Sequence, residues 1–359
     1  MKIGVVKDLK QGEARVGMTP ENVKILVEVG HTLYVENNAG FGAGFPNEQY
    51  IAAGAKIVER EETWEAEMMV RVKEPLEEEY QYLKEGQIIW GFLHLPANKA
   101  CVEKMIEMKV TAFSAENIAT EGTFPLLKPL SAIAGRRAVN IGQYYLEKQH
   151  GGQGILLPGI PESGIEAGHI VIFGGGTAAE NAADIALSIG CSVLILELSD
   201  TRIQELETRY AGKKLQIVKS TTEALEEHIK KADVFISTIL IPGAKPPKLV
   251  KEYMVKSMKP GAVIVDIAID HATNHAEPVF TRHNVIHYAV PNMPGATPRT
   301  STLVMSKGNI EYLKQIADNG LEEALNLSES LRSGMSVYKG TIVSHALADS
   351  IGLPYTKIK

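Results

Sequence analysis

Cysteine is scarce in this chain: Cys101 and Cys191 are the two among 359 residues. Both sit inside apolar patterns, so buried free thiols are expected in place of a disulfide framework or a thiolate metal site. Long basic runs are missing too, and the formal net charge is −6, which argues against nucleic acid as a partner. No apolar stretch approaches the length needed to cross a bilayer, so no membrane partner is expected. The first residues, Met1-Lys2-Ile3-Gly4-Val5-Val6, read as a strand of the fold and lack the apolar core and cleavage site of an export signal. A cytoplasmic location is the simplest expectation. Internal repeats and low-complexity segments are not seen either.

What the chain does have is glycine, 32 residues of it, and the most informative ones lie together. His169 to Phe173 is a short, β-branched apolar run, and Gly174-Gly175-Gly176 ends it. Ala178 to Ile189 then carries apolar residues at helical spacing and closes at Gly190, while Ser192 to Leu196 is a second strand with Glu197 at its end. A strand, a glycine turn and a helix offer unpaired backbone N–H groups and the positive end of the helix dipole to a phosphate. Gly174 makes the turn, Gly176 lets the backbone approach a pyrophosphate, and Ala179 is the third small residue of the fingerprint. Glu197 lies about twenty residues on, where a carboxylate accepts hydrogen bonds from ribose hydroxyls. The same acid opposes a phosphorylated ribose, so NAD is expected over NADP.

The remaining pattern is α/β throughout. The length suits two domains. Strands are expected at Ile3 to Val6, Thr32 to Glu36, Met68 to Lys73, Gln87 to His94 and Val110 to Ser114, with a helix from Thr19 to Val29 that opens on a capping threonine and a proline. Ser131 to Gln149 reads as a long connecting helix. Beyond Glu197, short apolar runs at Leu215 to Val218, Val234 to Ser237, Ala262 to Asp266 and Val285 to Val290 alternate with helical stretches, which implies a parallel sheet with right-handed crossovers. The tail from about Ser301 reads as helical and as packing back on the first domain. The expected architecture is therefore a doubly wound, Rossmann-type NAD-binding domain over 129–300 and a discontinuous α/β substrate domain over 1–128 and 301–359.

In parallel sheets ligands lie beyond the carboxyl ends of the strands. Lys73 and His94 close two apolar runs, Asp266 and Asp270 follow Val263-Ile264-Val265, and Arg15 lies in the loop after the first strand. A hydride-transferring enzyme for a small oxo or amino acid needs a cation for the carboxylate, a group to polarise the carbonyl and a proton carrier. Arg15, Lys73 and His94 are of those kinds. His271, His275, His283 and His287 lack metal-ligand spacing with a supporting carboxylate, so no metal is expected.

With Glu13-Ala14-Arg15-Val16, Val72-Lys73-Glu74-Pro75, Phe92-Leu93-His94-Leu95, Pro242-Gly243-Ala244-Lys245, Asp266-Ile267-Ala268-Ile269-Asp270 and Asn292-Met293-Pro294 in place, the chain resembles the alanine dehydrogenases, in the family shared with a subunit of nicotinamide nucleotide transhydrogenase, nearly end to end. The resemblance implies reversible, NAD-dependent oxidative deamination of L-alanine to pyruvate and ammonium. It implies that Arg15 and Lys73 hold the substrate, that His94 is the acid/base and that Asp270, ahead of Asp266, is the essential aspartate. Cofactor contacts implied by the same motifs are Ser131, Ala178, Glu197, Arg202, Ser220, Ile239, Leu240, Ile267, Ala268, Ile269, Asp270, Pro291, Asn292, Met293 and Pro294. A homohexamer in the cytoplasm is implied as well. Two departures from the family pattern stand out: His271-Ala272-Thr273 with a shortened segment up to Pro278, and Leu130 where a methionine is usual. The first leaves room for a related oxidoreductase acting on a larger amino or oxo acid by opine-type reductive amination; a non-catalytic NAD-binding protein is a third reading.

Overall fold

The protein is described by a computed structural model that covers residues 1–239, 249–268 and 273–357. Among these residues the strands are, in chain order, β1 (Lys2–Val5), β2 (Thr32–Glu36), β3 (Lys56–Val58), β4 (Met68–Val70), β5 (Ile88–Gly91), β6 (Thr111–Ser114), β7 (His169–Phe173), β8 (Ser192–Glu197), β9 (Leu215–Lys219), β10 (Val234–Ser237), β11 (Val263–Asp266), β12 (Val279–Arg282), β13 (Val285–Tyr288), β14 (Met335–Tyr338) and β15 (Thr341–Ile342). They form two sheets, in the orders β15-β14-β6-β5-β4-β1-β2-β3 and β12-β13-β11-β10-β7-β8-β9. The chain divides into two compact units, Met1–Leu130 with Thr297–Lys359, and Ser131–Ala296.

The second unit shows why its strands read as unbroken apolar runs. Successive side chains of a strand point to opposite faces. Ile170, Ile172, Val234 and Ile236 enter one core, and Val171, Phe173, Leu194 and Phe235 enter another on the far side. A sheet covered on both faces needs apolar residues at every position. The helix Thr177–Ser188 puts Ala179, Ala182, Ala183 and Ala186 into the first core, and their small size lets it lie close. The long helix Lys128–Leu146 packs closer still at one point. A Cβ added at Gly135 would stand 2.0 Å from the carbonyl oxygen of Ala178.

Strand order creates a crevice in each sheet. In the second unit the chain starts at β7, winds outward through β8 and β9, then returns to place β10 on the other side of β7. In the first it starts at β1, winds through β2 and β3, and returns to β4. Adjacent loops part at such a reversal and leave space above the strand ends.

The structure departs from the sequence-based expectation in three places. The tail is not helical throughout: β14 runs antiparallel beside β6, and β15 antiparallel beside β14. Segments this short become strands only through pairing, β14 on the open edge of β6 and β15 on β14. The second sheet is not wholly parallel, because β12 runs antiparallel to β13. Lys73 and His94 do not close strands; β4 ends at Val70 and β5 at Gly91, so both residues sit in the loops beyond.

Gly135→Ala is expected to lower stability by roughly 1–3 kcal/mol, because overpacking against the Ala178 backbone outweighs the better helix propensity of alanine. Denaturant unfolding checks this, and an unchanged midpoint would show that the two helices tolerate a wider spacing.

Candidate active site

The first unit gathers its basic residues at the β1/β4 crevice. Arg15 lies in the loop after β1 and Lys73 in the loop after β4, so two residues distant in sequence meet because their strands are neighbours. Arg15 is gripped by Glu13: Nε donates to Oε1 at 2.7 Å and Nη2 to Oε2 at 2.5 Å, both side chains being only 2% exposed. Burial alone would push the Glu13 carboxyl up, but the Arg15 hydrogen bonds and charge outweigh it and hold Glu13 below the usual carboxylate range. Nη1 of Arg15 points at the Met305 sulfur, 3.7 Å away.

Lys73 is set by its backbone. Asp8, just past β1, accepts from the N–H of Val72 at 2.9 Å and of Lys73 at 3.0 Å. Arg71 donates to the carbonyls of Lys73 (2.5 Å) and Glu74 (3.3 Å) and pairs with Asp8 (3.3 Å) and Glu79 (2.8 Å). Arg60 extends this network by bonding Glu79 and Glu36, at 2.8 and 2.7 Å. Burial pushes the Asp8 carboxyl up against the pull of Arg71. The Lys73 ammonium is pushed below the ordinary lysine range, first by removal from water and then by the like charge of Arg15.

His94 has a left-handed backbone, φ 47°, where a non-glycine residue is uncommon. Its N–H donates to Glu116 Oε1 at 2.7 Å, which stabilises the turn. Glu116 Oε2 is closed to solvent without a hydrogen-bond partner. Burial raises the Glu116 pKa, while its backbone hydrogen bonds and the Lys73 charge oppose that. Glu116 thus lies within the field of Lys73 and holds the backbone of His94, which links the third sequence-derived residue to the other two.

In the second unit the sequence-derived residues follow the carboxyl ends of parallel strands and so share one edge of the sheet. Gly174 and Gly176 follow β7, Glu197 ends β8, Ser220 follows β9, Ile239 follows β10, Ile267 and Ala268 follow β11, and Pro291 to Pro294 follow β13. The Ser220 N–H donates to the Glu197 carbonyl at 2.8 Å, and the Ile267 N–H to that of Ser237 at 3.0 Å. Met293 begins a 3-10 turn and its carbonyl accepts from Arg137. Ser131 lies in the first turn of the helix Lys128–Leu146. Leu240, Ile269 and Asp270 lie outside the described residues, as do His271, Ala272 and the Pro242 to Lys245 motif.

The turn after β7 fits a dinucleotide pyrophosphate. Gly174 has φ +102°, and a Cβ there would meet Thr238 Oγ1 at 2.7 Å. A Cβ at Gly176 would meet nothing within 4 Å, so the approach over that residue is open. Gly176 caps the helix Thr177–Ser188 without a side-chain hydrogen bond, which leaves the N–H groups of the first turn for an anion. Ala178 and Ala179 are buried beneath. The Glu197 carboxylate lies over the turn: Oε1 accepts from the N–H of Leu198 (2.7 Å) and Ser199 (2.8 Å), and a Cβ at Gly175 would stand 2.5 Å from Oε2.

Asp8, Glu79 and Glu116 were not singled out by sequence reasoning. Each accepts hydrogen bonds in the network around the basic residues, and an acid at an ordinary loop or turn position gives no local sign of that. Both cysteines are buried free thiols. Among the described residues no cluster of His, Cys, Asp and Glu could hold a metal ion, and no helix is long and apolar enough to cross a membrane.

Comparison with known proteins gives a consistent picture. Residues 4–134 match the family model described as alanine dehydrogenase/PNT, N-terminal domain, and residues 138–345 match its C-terminal domain counterpart. Alanine dehydrogenase 1 of Staphylococcus aureus strain N315 is 54% identical over 367 residues, spanning 100% of this chain and 99% of the relative, and that of strain MRSA252 is equally similar. A solved L-alanine dehydrogenase superposes with a TM-score of 0.93 at 38% identity, covering 98% of this chain and 99% of that one. A transhydrogenase from Sinorhizobium meliloti shares the fold, with a TM-score of 0.84 at 23% identity over 96% and 100% of the two chains. The chain belongs to the alanine dehydrogenase/PNT family.

Proposed function

We propose that this protein is an NAD-dependent alanine dehydrogenase that interconverts L-alanine and water with pyruvate and ammonium. The observation that carries the reading is the convergence of Arg15, Lys73 and the Glu116-held His94 turn on one crevice, in a chain 54% identical to alanine dehydrogenases over its full length.

Arg15 holds the substrate carboxylate. Glu13 fixes the guanidinium from one side and leaves it further N–H donors for an anion. Lys73 places a positive charge on the carbonyl oxygen, where negative charge develops when the α-carbon is attacked. In the amination direction His94 supplies the proton that lets that oxygen leave as water, and in deamination it removes a proton from the attacking water. Asp270 stabilises the cationic iminium and orients ammonia or water, a role that rests on the family resemblance alone. Bound NAD supplies the two-electron acceptor for the hydride of the α-carbon. The residues for that cofactor are the Gly174 to Ala179 turn, Glu197 and the loops along the same sheet edge, from Ser131 to Pro294 in the chain. A division of labour follows, with 1–128 and 301–359 for the substrate and 129–300 for the dinucleotide. A cytoplasmic location and a homohexameric assembly complete the reading on the strength of the resemblance.

A spectrophotometric screen tests the assignment directly: NADH oxidation is expected to be fastest with pyruvate plus ammonium, and a preference for bulky oxo acids or amines would overturn it. His94→Ala is expected to lower kcat by about 10²-fold or more with NADH binding intact; full activity would remove His94 from the mechanism. The depressed pKa of Lys73 fixes a sign as well. Its charge is lost as pH rises through a value below that of an ordinary lysine, so the KM for pyruvate should climb on the alkaline side. A KM that stayed flat to about pH 10.4, the ordinary lysine value, would contradict that role.

A further inference from the structure

The acid at the end of β8 is the usual explanation of NAD preference in a fold of this kind. The structure shows a second arrangement beside it. Arg202 lies in the helix Asp200–Arg209, which begins just past Glu197. Its Nε donates to the carbonyl of Gly175, in the middle of the phosphate turn, at 2.8 Å. Glu197 Oε2 lies over the same glycine. An arginine so close to the ribose-binding acid is the residue type that accepts a 2′-phosphate in NADP enzymes. Here its terminal nitrogens are taken: Nη2 pairs with Glu180 and Nη1 with Glu205, both at 2.6 Å.

The two carboxylates are not equivalent. Glu205 is 56% exposed and three residues from Arg202 on the same helix, so solvent screens the pair and weakens it. Glu180 is 17% exposed and belongs to the other helix, Thr177–Ser188. It therefore fixes where the guanidinium sits relative to the turn. Arg209 approaches Glu180 at 3.9 Å, but Asp184 holds that arginine at 2.9 Å.

We infer that Glu180 is a specificity-determining positioning residue: it withholds Arg202 from a ribose 2′-phosphate, so that NAD selectivity has two parts, repulsion by Glu197 and capture of a cation hydrogen-bonded to the turn. This rests on the NAD-binding reading above. Removing Glu197 alone leaves Arg202 neutralised, and removing Glu180 alone leaves the repulsion. Only the double change both frees Nη2 of Arg202 and lifts the repulsion.

Binding of NADH and NADPH to the purified full-length protein, followed by nicotinamide fluorescence, tests this in the wild type, Glu197→Ser, Glu180→Gln and the double variant. The double variant is expected to bind NADPH about fivefold more tightly than the product of the single effects, the size of coupling seen between contacting residues. Adding Arg202→Ala should erase the gain, and Glu197→Ser with Glu205→Gln should give less than half of it. Multiplicative single effects, a gain that survives Arg202→Ala, or an equal gain from Glu205→Gln would overturn the proposal. A parallel loss of NADH binding in Glu180→Gln would do so too, by making Glu180 structural. Failure of the wild type to bind NADH would instead strike the underlying cofactor reading.

Discussion

Asp8 and Lys73 are 65 positions apart in the chain, and one carboxylate joins them. Asp8 leaves β1 and accepts the backbone N–H groups of Val72 and Lys73 as the chain leaves β4, while Arg71 neutralises that carboxylate from inside and bonds the carbonyls that follow. A buried charge is tolerated only when it is paired and hydrogen-bonded. Well-packed apolar residues would give at least as much stability, so what such a network contributes is position. A lysine on a flexible stem becomes a directed charge because the backbone beneath it has nowhere to move.

The same topological device is used twice with different chemistry. Each sheet reverses its winding beside its first strand, and each carries its polar residues past the carboxyl ends of the strands that flank the reversal. In the first unit the loops carry cations and the acids that hold them. In the second they carry a glycine turn, an open helix N-terminus and an acid. The fold supplies the crevice, and the residues after each strand decide what it binds.

Acids govern the cations in both places. Glu13 grips Arg15 through Nε and Nη2. Glu180 and Glu205 close on Arg202 from two sides while its Nε is bound to the turn. The same kind of ion pair therefore engages one edge of the Arg15 guanidinium and two sides of the Arg202 guanidinium. Glu116 applies the same logic to a backbone, holding His94 in a left-handed turn through its N–H.

Local patterns were legible in the sequence. The order of strand, glycine turn, helix and acid from His169 to Glu197 depends on residues near one another, and so does the capped start of the helix at Pro20, where Thr19 accepts from Asn22. Strands β14 and β15 were not legible, because segments this short take their conformation from the strand they pair with, β14 from β6 and β15 from β14. Nor were Asp8, Glu79 and Glu116 marked by anything around them. The amino-acid sequence by itself determined the α/β alternation, the phosphate turn and the kinds of side chain available, since spacing and side-chain chemistry act over a few residues. Only the tertiary structure decided which distant acid meets which cation, as Asp8 meets Arg71 and Glu180 meets Arg202, because the packing of strands and helices makes such partners neighbours, and hydrogen bonds and ion pairs act over ångströms in space regardless of distance along the chain.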